Sequence, residues 1–146
     1  MTQLDDFDQK ILAALQRNGR LTNLELAQAI GLSPSQCSRR RARLESERII
    51  RGYRTDIDTD ALGLKVRLFI RVKLATHSPN NAKRFAEFVA KTEEILEAFS
   101  LTGDTDYLLH VLVQDLNVLA TFINDVLLQH PSVAQVNSSI VLKSLI

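Results

Sequence analysis

The stretch from Thr22 to Glu47 constrains this chain more than any other, because it reads as two short helices joined by a tight turn. Thr22-Asn23-Leu24-Glu25 has the form Ser/Thr-x-x-Glu, in which the hydroxyl accepts from one unpaired helix amide and the glutamate reaches back to another. Leu24, Ala27 and Ile30 recur at helical spacing, and Gly31 follows where helices commonly end in a left-handed residue. Only Leu32 separates that stop from a second start, Ser33-Pro34-Ser35-Gln36. Ser33 suits the cap, Pro34 the first helical position where its missing N–H would have had no partner, and Gln36 the capping-box position. Cys37-Ser38-Arg39-Arg40-Arg41-Ala42-Arg43-Leu44 then continues the helix. Two capped helices around a Gly-containing turn, the second one strongly basic, have the sequence form of a DNA-binding helix-turn-helix.

Charge placement on the second helix says more than its charge count. On a helical wheel at about 100° per residue, Leu44 falls beside Cys37, and the two mark a buried stripe. Arg39 and Arg43 fall on the far side with Gln36, and Arg40 lies at the flank. That makes a basic, amide-bearing ridge suited to phosphates and to base edges in a major groove. A charged helix face is more often simply solvated; here the capped helix and turn in front of it favour the DNA-reading role. Arg41 lies four after Cys37 and three before Leu44, where an apolar residue belongs. Its environment is left open between snorkelling along its stem and pairing with Glu45 one turn on.

At 146 residues, the chain has room for one ordinary domain or two small ones. Its 45% hydrophobic and 24% charged residues place it among globular chains. The single cysteine excludes an intramolecular disulfide framework, and Cys37 on a helix stripe reads as a small buried apolar residue. No stretch approaches the roughly 20 apolar residues that cross a bilayer, and the acidic start Leu4-Asp5-Asp6 lacks a signal peptide's basic region and apolar run. The expectation is a cytoplasmic protein without membrane contact. Residues 1–54 carry a net +4 and residues 55–146 a net −3, giving the overall +1. A basic front and an acidic back argue for two modules, of which one meets a polyanion.

Leu4 to Arg17 reads as a first helix with Phe7, Ile11, Leu12 and Leu15 on one stripe, ended by Asn18-Gly19. It supplies the third helix that a helix-turn-helix needs to close a core. After Leu44, Ile49, Ile50 and Tyr53 are placed to pack back, and Arg48, Arg51 and Arg54 extend the basic surface. The sign of the charge changes over 55–64, and the linker is placed there. Val66, Leu68, Ile70, Val72 and Leu74 alternate with Arg67, Phe69, Arg71 and Lys73, a period-2 strand broken by His77-Ser78-Pro79-Asn80. Ala82, Phe85, Ala86 and Val89 make a helix ending near Lys91. Ile95 to Thr102 and Tyr107 to Val113 read as strands around the turn Gly103-Asp104-Thr105-Asp106. Asp115 caps a helix carrying Leu116, Leu119, Ile123, Val126 and Leu127, stopped by His130-Pro131, and Val133 to Leu142 is the last strand. The order βαββαβ specifies a ferredoxin-like unit with both helices on one sheet face. The other face then carries apolar residues with nothing over them, which predicts pairing with a second copy. Reading a pseudo-palindrome asks for the same two-fold partner.

Taken together, Asp8-Gln9-Lys10-Ile11-Leu12, Asn23-Leu24-Glu25-Leu26-Ala27, Gly31-Leu32-Ser33-Pro34 with Cys37, Arg43-Leu44-Glu45, Ile50 with Gly52-Tyr53, and Gly103-Asp104-Thr105-Asp106-Tyr107-Leu108-Leu109 resemble the Lrp/AsnC family (leucine-responsive/asparagine-synthesis regulators) over essentially the whole chain. The resemblance implies an α+β chain: an N-terminal winged helix-turn-helix over 1–54, a linker over 55–64, and a ferredoxin-like βαββαβ domain over 65–146 that binds effector and builds oligomers. It implies homodimers, often four to a ring as octamers, that bind double-stranded DNA and free amino acids and control genes of amino-acid metabolism. Carried over by position, Ser33, Ser35, Gln36, Arg39, Arg40 and Arg43 match the DNA-binding region. Gly103, Asp104, Asp106 and Tyr107 match the effector hairpin, with Ser100, Thr102 and Lys143 nearby. Gln36 stands where relatives commonly have Pro, and Arg41 where they have an apolar residue.

The hairpin has a local rationale of its own. An amino acid presents an ammonium and a carboxylate at fixed separation; Asp104 and Asp106 offer acceptors, and a Gly-containing turn exposes N–H groups to a carboxylate. Gly-Asp-x-Asp is also ordinary turn chemistry, with aspartates bonding their own backbone. Catalysis has no comparable support. His77, His110 and His130 lack metal-ligand spacing, and there is no Gly-rich phosphate loop, nucleophile elbow or tuned carboxylate pair. No cofactor, metal or catalytic residue is expected. The rival reading is an amino-acid-sensing oligomeric module without direct DNA readout, against which Arg39, Arg40 and Arg43 weigh.

Overall fold

The computed structural model describes residues 3–145, which separate into two compact units divided between Ile57 and Asp58. The first unit holds three helices, α1 (Asp6–Arg17), α2 (Asn23–Ile30) and α3 (Pro34–Ser46). Each start is fixed by a reciprocal cap: Asp5 with Asp8, Thr22 with Glu25, and Ser33 with Gln36. Gly31 at φ 75° ends α2 in the left-handed conformation that only glycine adopts without strain. Ile11, Leu15, Leu26, Ala27, Cys37 and Leu44 close the core, so the thiol is a packing group, its pKa pushed up by burial. The segment after α3 forms no strand among the described residues. The wing implied by the resemblance therefore takes no β form here; the backbone turns at Arg48 (φ 56°), and Tyr53 is tied back onto α3.

The second unit runs β1 (Val66–Leu74), α4 (Pro79–Lys91), β2 (Ile95–Ser100), β3 (Tyr107–Val113), α5 (Leu116–Thr121) and β4 (Val133–Ile140). Its antiparallel sheet has the order β2-β3-β1-β4, the expected ferredoxin-like arrangement. Leu68, Ile70, Val72, Leu109, Val111 and Val113 face inward against Phe85, Leu119, Phe122 and Leu127. On the opposite face Phe69 stacks on His110 at 4.9 Å between ring centres, and Phe99 is exposed.

The second helix departs from its expected stripe. Past Thr121 it widens into a π-helical turn, Phe122–Leu127, so Phe122 and Leu127, five apart, are both buried. Leu116 and Val126, which a uniform 3.6-residue period puts on the core face, are exposed. The wider turn resets the phase.

Candidate nucleic-acid interface and effector pocket

The start of α3 is built by its own side chains. Ser33 Oγ accepts from the Gln36 N–H at 3.2 Å, and Gln36 Oε1 accepts from the Ser33 N–H at 3.0 Å. The Ser33 and Ser35 hydroxyls are 3.1 Å apart. Ser33 and half of the Gln36 amide are therefore engaged in holding the helix, while Ser35 and the Gln36 amide group stay at the exposed start.

The basic ridge divides by partner. Arg39 is exposed, and its side chain has no hydrogen bond or ion pair with any described residue. Arg40 donates to Asp5 Oδ2 at 2.7 Å and to Asp8 Oδ1 at 2.8 Å, with its guanidinium 5.6 Å from the centre of the Phe7 ring. Arg43 pairs with the other oxygen of Asp8, which is fully buried. Asp5 is held below the usual carboxylate range by the Asp8 backbone N–H first and by Arg40 next. Arg40 and Arg43, both expected in the DNA-binding region, are thus paired with carboxylates in the chain by itself. The wheel located them off the Cys37–Leu44 stripe, but α1 packs along that flank and meets them with carboxylates.

Arg41 has an environment of a third kind. It donates to Glu45 Oε1 at 3.2 Å, to the Tyr53 hydroxyl at 2.9 Å and to the Leu21 carbonyl at 2.8 Å, and lies 4.9 Å from the Tyr53 ring centre. The Tyr53 hydroxyl donates to Glu45 at 2.7 Å and lowers that carboxyl's pKa, with Arg41 adding to the effect. An arginine in the apolar register is explained by this clasp.

In the second unit, Asp106 is the hub of the hairpin. Its N–H donates to the Val72 carbonyl at 2.9 Å, its carbonyl accepts from the Leu101 N–H at 2.8 Å, and Oδ2 accepts from the Leu74 N–H at 2.7 Å. Oδ1 lies 3.2 Å from Nδ1 of the exposed His77. Beside it opens a cavity of about 220 Å³ lined by Leu74, His77, Ser78, Pro79, Ala82, Ser100, Leu101, Asp106 and Tyr107. Of the expected effector residues, Ser100, Asp106 and Tyr107 line it. Thr102, Gly103 (φ 109°) and Asp104 stand exposed on the turn, and Lys143 is exposed beyond β4; none of the four is among the lining residues.

In the sequence, His77-Ser78-Pro79 reads as a strand break, with His77 lacking metal-ligand spacing. The signal for their role was available in the topology: pairing of Val72 with Tyr107 brings whatever follows β1 against whatever precedes β3. Ser78 caps α4, its Oγ accepting from the Asn81 N–H at 3.2 Å, so the positive end of that helix borders the cavity. Among the described residues no group of three or more His, Cys, Asp or Glu gathers as a metal site, and no helix is long and apolar enough to cross a membrane.

Two family models match the chain: an AsnC-type helix-turn-helix domain over residues 4–45 and an Lrp/AsnC ligand-binding domain over residues 67–146. The chain belongs to the Lrp/AsnC family. It is 38% identical to the Bkd operon transcriptional regulator of Pseudomonas aeruginosa, over 99% of this chain and 94% of that one. It is 34% identical to the leucine-responsive regulatory protein of Escherichia coli, over 96% and 85%. A solved transcriptional regulator of Neisseria meningitidis, in complex with L-Met, superposes with a TM-score of 0.93 at 43% identity, covering 98% of this chain and 92% of that one. The protein is accordingly a helix-turn-helix transcriptional regulator and not an enzyme.

Proposed function

We propose that α3 enters the major groove of double-stranded DNA, with Arg39, Ser35 and the Gln36 amide group at the exposed contact surface, and that a small amino acid bound at the Asp106 cavity controls the response. The cavity carries the second half of this reading. A carboxylate at Asp106 and the positive end of α4 offer an ammonium and a carboxylate their respective partners. Leu74, Pro79, Ala82, Leu101 and Tyr107 present apolar surface to a side chain. The volume lies below the roughly 300–1,000 Å³ of drug-sized sites, which suits one small metabolite. That a family member is solved with L-Met agrees with this class of ligand.

Two copies join through the sheet face carrying Phe69, Phe99 and His110, and dimers assemble further into rings, in the cytoplasm where the DNA is. An amino acid shifts that assembly only by binding one form more tightly than another. A thermal-shift screen of the twenty amino acids tests the effector half. An apolar amino acid should raise the melting temperature, and Asp106→Ala should abolish the rise. A rise that survives Asp106→Ala would move the site elsewhere.

A further inference from the structure

Four arginines lie between positions 39 and 43 of α3, yet the structure gives them three different fates. The Arg39 side chain has no partner among the described residues, Arg41 clasps Glu45 and Tyr53, and Arg40 and Arg43 converge on Asp8 of α1. Asp8 is fully buried, and the same carboxylate accepts from the Asp5 N–H at 3.2 Å to complete the α1 cap. A buried carboxylate is costly unless its oxygens are met by donors or cations. Here Oδ1 faces Arg40 and Oδ2 faces both Arg43 and the Asp5 N–H, so no oxygen is left over. An exposed arginine gains affinity for DNA by releasing counterions from a phosphate. An arginine that leaves Asp8 for a phosphate strands that carboxylate in a dry site, and the exchange cancels much of the gain.

We infer that Asp8 is a positioning residue of the DNA-reading head: it withholds Arg40 and Arg43 from phosphates, fixes α3 against α1, and leaves Arg39 as the unpaired arginine of the ridge. The inference rests on α3 being the DNA-facing helix. It implies that the charge count of α3 overstates its phosphate contacts. It also implies that Asp8 suppresses sequence-independent binding, the part of affinity that carries no base information.

Salt dependence reads this directly. The full chain is titrated onto a duplex that it has itself selected from a random pool, and onto a scrambled duplex of equal composition, across a range of salt. Each phosphate neutralised adds about 0.9 to the log–log slope. Arg39→Ala should flatten the slope by about 0.9 per protomer, whereas Arg40→Gln should change it by less than about half of that. Asp8→Asn retains an acceptor for the α1 cap, releases Arg43 and leaves Arg40 only the exposed carboxylate of Asp5. On the scrambled duplex it should steepen the slope by roughly one to two units per protomer, and the ratio of selected to scrambled affinity should fall several-fold. Should Asp8→Asn not fold, Arg40→Gln decides alone. Arg40→Gln flattening the slope as much as Arg39→Ala, or a folded Asp8→Asn with an unchanged slope, overturns the inference while α3 remains the DNA-facing helix. An unchanged slope in Arg39→Ala overturns the DNA-facing assignment itself, and the inference with it.

Discussion

The two units hold themselves together by different means. In the sheet unit, β1 and β3 lay an apolar face against Phe85, Leu119, Phe122 and Leu127, and the side-chain contacts to carboxylates among the described residues come from imidazoles, His77 with Asp106 and His110 with Glu97. The head has a smaller core, and the arginine–carboxylate pairs of the described residues all lie there, three of them joining α3 to α1 and its cap and the fourth, Arg41 with Glu45, lying within α3. A domain of three short helices buries little apolar surface for its length. Where one helix must also present cations, some of those cations can serve as struts. The difference teaches that arginines on a reading helix are not equivalent. Burial of the partner, more than position on the wheel, decides which of them is available.

The largest effect should come from the sheet unit's core. Phe85 is fully buried among the rings of Phe88, Tyr107 and His130, and Phe85→Ala should cost about 3–5 kcal/mol in denaturant unfolding. In the head, an electrostatic change should rival a cavity: Asp8→Ala strands Arg43, leaves Arg40 with Asp5 alone and should cost about 2–4 kcal/mol, tempered because both arginines are partly solvated. A cost below about 1 kcal/mol would erase the contrast between the units. Ser33→Ala removes the α3 cap and should cost about 1 kcal/mol, read as a lower melting temperature and weaker DNA binding together.

Acid should separate the units by pH rather than by magnitude. Burial first, and Arg84 next, hold His130 below the ordinary histidine value. Its unfolded form therefore takes up a proton first, and its contribution is complete above about pH 6.5 and declines as pH falls through that range. In the head the lowered groups are carboxylates: Asp5 through the Asp8 N–H and then Arg40, Glu25 through Thr22, and Glu45 through the Tyr53 hydroxyl. Their stabilisation is complete above the ordinary carboxylate range near pH 4 and is lost as pH falls through it. Thermal melts from pH 7.5 to 3.5 should show the sheet unit weakening first. Loss of the head before the sheet unit would contradict this.

Much of this was legible in the chain. The caps at Thr22 and Ser33, Gly31, the alternation of β1 and the turn before Tyr107 act over three or four residues, so they specify the same local structure wherever they occur. What stayed hidden depends on which elements become neighbours. Asp8 looks like one more acidic residue near a helix start until α3 packs beside it. Arg41 looks misplaced until Tyr53 returns, and His77 looks like a strand terminator until β1 pairs with β3. The π-helical turn at Phe122–Leu127 escaped because a fixed helical period was assumed through it.

The most direct measurement of the central claim is arginine modification of the full chain with and without duplex DNA, read residue by residue after proteolysis. Arg39 of α3 and Arg71 on the outer sheet face are both exposed in the chain by itself. The account predicts that duplex protects Arg39 while leaving the reactivity of Arg71 where it was. Protection that falls on Arg71, with Arg39 as reactive as before, would contradict it.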